Sequence, residues 1–98
     1  MRVDMSPEAI AFVSLRGGLL WVWTARPAMC CAGTPSFMHA ATQPPRDPSG
    51  FHRVPAPVDL WFRSAGGLLP AVLEVGLRGR RHPHLEAYWD GCLFALNA

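Results

Sequence analysis

Val58-Asp59-Leu60-Trp61-Phe62-Arg63 decides the fold. Val58, Leu60 and Phe62 alternate with Asp59, Trp61 and Arg63, the period of a half-buried strand. Downstream, Gly66-Gly67 turns the chain. The same period then returns in Leu73, Val75 and Leu77, which alternate with Glu74 and Gly76. Arg78 to Pro83 reads as a basic turn. Leu85–Trp89 and Cys92–Leu96 flank Asp90-Gly91, a two-residue hairpin signal in which Gly91 takes positive φ.

Upstream of this block, Gln43 to Gly50 combines three prolines with Asp and Gly and reads as a solvated loop. Phe37 to Thr42 is a further short strand. Leu19 to Ala25, Leu-Leu-Trp-Val-Trp-Thr-Ala, is apolar on both faces and bounded by Gly and Pro, which favours a central strand over a helix. Arg26-Pro27 ends it, and residues 28–36 form a loop of small residues. The helix signals fall near the N-terminus. Ser6 can accept a hydrogen bond from a first-turn N–H. Pro7 loses no needed donor at the first helical position, and Glu8 complements the dipole. Ile10 and Val13 stand at helical spacing, and Gly17-Gly18 ends the helix. Residues 2–5 form a short strand with Val3 and Met5 on one face. The expectation is a mainly β, α+β fold in a single domain spanning 1–98, with one N-terminal helix covering a small curved sheet or sandwich of six or seven further strands.

Composition agrees with one modest core. Half of the 98 residues are apolar and 16% are charged, a globular balance. The formal charge of +2 is too small to argue for nucleic acid. The longest uncharged apolar stretch, Gly17 to Ala25, is far short of the ~20 residues of a membrane helix. Asp4 and Glu8 stand where a signal peptide would have its apolar segment. The expected location is the cytoplasm, away from membranes. Three cysteines, two of them adjacent, imply no disulfide framework, and free thiols fit a reducing compartment.

Few residues suggest chemistry. Cys30 and Cys31 are soft potential metal ligands in a Gly-containing loop, or else one small buried hydrophobe and one loop thiol. Cys92 begins a strand and reads as a core position or a third ligand. His39 and His52 read as surface or rim histidines. Arg78-Gly79-Arg80-Arg81-His82-Pro83-His84 is the only basic cluster, either a solvated tip or a site for phosphate or an acidic partner. Trp21 and Trp23 share a strand face. With Trp61 and Trp89 they build the core or line a ligand pocket. Cys31 and His39 could make a nucleophile–base pair, but no third orienting group is evident. The carboxylates show no pairing suited to acid–base work, so a non-catalytic protein is expected.

Three features fall in order: the strand and Ser6-Pro7-Glu8-Ala9 helix, the Cys31-Ala32-Gly33 loop after a central strand, and a hairpin ending in Phe94-Ala95-Leu96-Asn97-Ala98. This order resembles the HesB-like, A-type iron–sulfur carrier superfamily. Cys30-Cys31-Ala32-Gly33 followed by Thr34-Pro35, with the segment from Leu73 through Glu86 to Phe94, is most similar to a bacterial branch carrying Cys-Cys-x-Gly. The resemblance spans most of the chain, with a weak middle from about residue 40 to 65. It implies a HesB-like fold and iron or an iron–sulfur cluster held through Cys31 at the first ligand position. The C-terminal Cys-Gly-Cys of those carriers has no counterpart up to Ala98, which leaves Cys30 and Cys92 as the other thiols. A bound cluster then implies a homodimer, because one chain offers too few thiolates for four ligands. The alternative is a module without a cluster that meets a protein or small ligand through the Trp-rich face or the Arg78–Arg81 turn.

Overall fold

A computed structural model describes residues 1–25, 36–65, 67–92 and 94–95. The elements run β1 (Arg2–Met5), α1 (Pro7–Leu15), β2 (Leu19–Ala25), β3 (Ser36–Ala41), β4 (His52–Val54), β5 (Asp59–Arg63), β6 (Val72–Arg78), β7 (His84–Trp89) and β8 (Phe94–Ala95). The chain is therefore mainly β with one short N-terminal helix. The strands form two small sheets, ordered β1-β6-β7 and β4-β5-β2-β3-β8.

Local chemistry sets the helix ends. The Ser6 hydroxyl accepts from the Ala9 N–H at 3.2 Å and Pro7 opens the first turn. At the other end Gly17 and Gly18 have φ of 107° and 80°. The Gly18 N–H donates to the Val13 carbonyl and the Gly17 N–H to that of Ser14, the paired bonds of a Schellman cap. Ala9 and Val13, four residues apart, form the buried stripe that packs on β6 and β2.

The core lies between the inner faces of the two sheets. Leu20 and Val22 of β2, Leu60 and Phe62 of β5 and Met38 of β3 meet Leu73 and Val75 of β6 and Ala87 of β7, with α1 alongside. The alternation read at 58–63 and 73–77 points in the expected direction: Leu60, Phe62, Leu73 and Val75 are buried. Arg78–Pro83 is the tip of the β6–β7 hairpin, whose register pairs Arg78 with His84 and Leu73 with Trp89.

Two expectations need correction. The first concerns the tryptophans. Leu20, Val22 and Thr24 point inward, so the strand period sends Trp21 and Trp23 to the opposite face, where both are half-buried. They build a second, outer apolar layer rather than the core between the sheets. The second concerns the terminal hairpin. The Asp90-Gly91 turn forms as read, with φ of 48° and 85°, both positive as a type I′ turn demands. Trp89 and Cys92 exchange both backbone hydrogen bonds across it. Yet Phe94–Ala95 pairs antiparallel with β3, Ser36 opposite Ala95 and Phe37 opposite Phe94. The chain thus leaves one sheet at the turn and enters the other, and only the Trp89–Cys92 bridge joins it to β7 among the described residues.

Candidate functional site

Cys30 and Cys31 lie outside the described residues; the positions flanking their loop do not. Ala25, the last residue of β2, stands opposite Phe37 near the start of β3. On the other side of β3, Ser36 faces Ala95. The strand that leads into Leu96-Asn97-Ala98 therefore runs toward the position where the Cys-containing connection enters β3. Cys92 is exposed rather than a core residue. It sits immediately after the Asp90-Gly91 turn, where the chain passes from one sheet to the other. Among the described residues no three His, Cys, Asp or Glu side chains converge to hold a metal ion.

The outer face of the five-stranded sheet is aromatic. In register, Trp21 lies beside Trp61, and Trp23 lies between Arg63 and His39. Trp21 and Trp61 stack with centroids 6.1 Å apart, and exposed His39 stacks on Trp23 at 5.4 Å. β3 and β4 are separated in the sheet by β2 and β5, so their connection has to cross both strands. It crosses on the outer face. Phe51 sets its ring edge-on to Trp21 at 5.0 Å and approaches Trp23 at 6.3 Å. Arg63 fastens this strap: its Nη1 donates to the carbonyls of Asp47 and Ser49, each at 2.8 Å, and its guanidinium lies 4.5 Å from the Phe51 centroid. The Ser49 hydroxyl and N–H donate to Asp47, which holds that carboxyl below its ordinary range with some help from Arg63. The loop read as solvated is exposed along most of its length, and it also covers the tryptophans.

The outer face of the three-stranded sheet is polar. Glu86, one-quarter exposed, is its centre. The Tyr88 hydroxyl donates to Oε2, Arg78 Nε stands 3.4 Å from Oε2, and His84 Nε2 lies 3.3 Å from Oε1. The Tyr88 hydroxyl is the main reason that the Glu86 carboxyl is held below its usual range; burial opposes it, and His84 and Arg78 reinforce it. Asp4 and Glu74 stand side by side further along the face and line a cavity of about 410 Å³ with Met5, Ser6, Gly76 and Tyr88. A second, more apolar cavity of about 290 Å³ lies by β4, lined by His52, Val54, Phe62 and Leu69 among others. His52 is exposed, a surface histidine as read.

Sequence reading missed the strap and the Glu86 cluster. The cluster had a signal: His84, Glu86 and Tyr88 recur at intervals of two, which places them on one face of a strand. The Arg63 clamp had none, since its acceptors are backbone carbonyls. No helix among the described residues is long and apolar enough to cross a membrane. Compared with known protein families, curated proteins and solved structures, the chain matches none.

Proposed function

We propose that the protein is a small, non-catalytic, cytoplasmic relative of the HesB-like iron–sulfur carriers, with iron or a cluster as cargo held chiefly by Cys31. The observation that supports this reading most is the strand pairing around β3. It brings the strand leading into the C-terminal residues beside the position where the Cys30-Cys31 connection returns to the sheet. Thiolates are fitting donors for iron, and Gly33 leaves space for close approach. Cys92 is exposed, and it is Ala95, three residues further on, that stands opposite Ser36. On this proposal Cys31 is the principal donor, Cys30 a secondary one and Cys92 a bystander, and the remaining ligands come from a second copy of the chain.

Anaerobic iron reconstitution tests the reading. The parent protein is expected to bind iron with visible thiolate-to-iron absorption and to elute as a dimer. Cys31→Ser should lose the iron, Cys30→Ser should lose part of it, and Cys92→Ser should keep it. A parent protein that takes up no iron sinks the carrier reading. The Trp-rich face is a weaker basis for a ligand-binding module, because Phe51 and the 42–51 strap already cover Trp21 and Trp23.

A further inference from the structure

Two guanidinium groups at the tip of one hairpin have no ion-pair partner among the described residues. Arg80 and Arg81 are exposed at the tip of the β6–β7 hairpin and make no ion pair among the described residues. Arg78, two residues away, is engaged by Glu86. The tip also has a preset shape. Gly79 has φ of 92°, and a Cβ there would stand 2.6 Å from the His82 carbonyl oxygen, so the turn closes tightly over a glycine. Pro83 fixes the returning backbone. His84 ties the turn to the strand, with Nδ1 3.3 Å from the His82 carbonyl and Nε2 3.3 Å from Glu86. Glu86 thus neutralises the cation at the base of the turn and anchors the histidine that braces it, while the two cations at the tip stay free.

We propose that this braced turn is a docking site for an acidic segment of a partner protein, recognised by Arg80 and Arg81. Guanidinium forks match carboxylates in geometry, and a turn already held in shape loses little entropy on binding. Other anionic partners fit less well. Nucleic acid binding rests on many phosphate contacts and on aromatic stacking, whereas the tip offers two free arginines and no Phe, Tyr or Trp between Gly79 and Pro83. An anionic membrane would be expected to meet an apolar side chain beside the charges, and Gly79-Arg80-Arg81-His82-Pro83 contains no large one. The site is independent of Cys31 and remains whether or not the protein carries iron.

The test is fluorescence anisotropy with labelled octaglutamate on the metal-free full chain, repeated on Cys31→Ser. Both proteins should bind, with affinity falling as salt rises. The double variant Arg80→Ser/Arg81→Ser should bind about tenfold more weakly, the order expected for two exposed charge-assisted contacts, with its melting temperature unchanged. Gly79→Ala keeps every charge but clashes with the His82 carbonyl, so it should weaken binding about threefold through the turn's shape alone. Equal affinity of parent and double variant overturns the proposal, and so does tighter binding to an oligothymidylate of matched charge or to phosphatidylserine vesicles. Parent-like binding by Gly79→Ala overturns the braced turn. Because octaglutamate binding and iron content are read separately, failure here is distinct from failure of the carrier reading.

Discussion

The two sheets turn one face each toward a common core, and their outward faces differ. On the five-stranded sheet the outward positions of β2 and β5 hold Trp21, Trp23 and Trp61, which the strap carrying Phe51 covers. On the three-stranded sheet the outward positions of β6 and β7 hold Glu74, Arg78, His84, Glu86 and Tyr88, which meet water and one another. A strand's period fixes which residues share a face and says nothing of what covers that face. A covering layer forms where the connectivity supplies one. The β3–β4 connection has to cross two strands, so the strands beneath it can be apolar on both sides. β6 and β7 are joined by a tight hairpin, and among the described residues no connection crosses their outer face.

Truncation of the covered aromatic layer should have the largest effect. Trp21→Ala removes a half-buried indole from contact with Trp61 and Phe51. The expected cost is about 2–3 kcal/mol, below the ~3–5 of a fully buried aromatic. Glu74→Ala, at an exposed position on the other sheet, should stay within about 0.5 kcal/mol of the parent. Urea denaturation reads both. If the two variants lose equal stability, the outer layer is not a packed one and the contrast between the faces fails.

A smaller effect should follow from loosening the strap while leaving the tryptophans in place. Arg63→Ala deletes two hydrogen bonds to backbone carbonyls and the contact with Phe51. The expected loss is about 1–2 kcal/mol, since both bonds are exposed to water and each contributes about 0.5–1. The more direct readout is trypsin cleavage after Arg46, within the strap. Cleavage should speed up several-fold in the variant while cleavage after Arg80 and Arg81 keeps its parent rate. Equal acceleration at both places would indicate global destabilisation and no local clamp.

What the sequence made legible follows from the range of each interaction. The helix was readable because Ser6, Pro7 and Gly17-Gly18 act on neighbouring residues, and the strands at 59–63 and 72–78 because alternation is local. The Asp90-Gly91 turn was readable for the same reason. The partner of the strand after it was not: Phe94–Ala95 pairs with β3 across more than fifty residues of sequence. The face of the tryptophans turned on the identity of the inward set. Leu20, Val22 and Thr24 are no more apolar as a group than Trp21 and Trp23, so composition could not rank the two faces. At the candidate site, the basic turn was legible as a cluster, while the division between engaged Arg78 and free Arg80 and Arg81 depends on Glu86, which belongs to the opposite strand.

The smallest effect concerns Glu86 and is best read through pH. Its carboxyl is held below the ordinary value of 4.5 by the Tyr88 hydroxyl first, against a smaller opposing effect of burial, and with help from His84 and Arg78. A carboxyl whose folded pKa lies below its unfolded one releases its proton more readily in the folded state. Its contribution to stability is fully present above the unfolded value, about pH 4.5, and disappears as pH falls through the lower folded value. The side chain is one-quarter exposed and its cationic partners more so, which keeps the contribution to about 1 kcal/mol or less. Glu86→Gln keeps the shape and removes the titration. The parent should therefore exceed the variant in stability at pH 6, and the gap should close as pH falls below 4.5 and through the lower folded value. Trp21→Ala supplies the contrast: it removes no titrating group, so its deficit should stay constant over the same interval. A Glu86→Gln gap that does not change with pH would mean that the cluster packs on the sheet as neutral surface, and the polar face would then differ from the aromatic one only in lacking a strap.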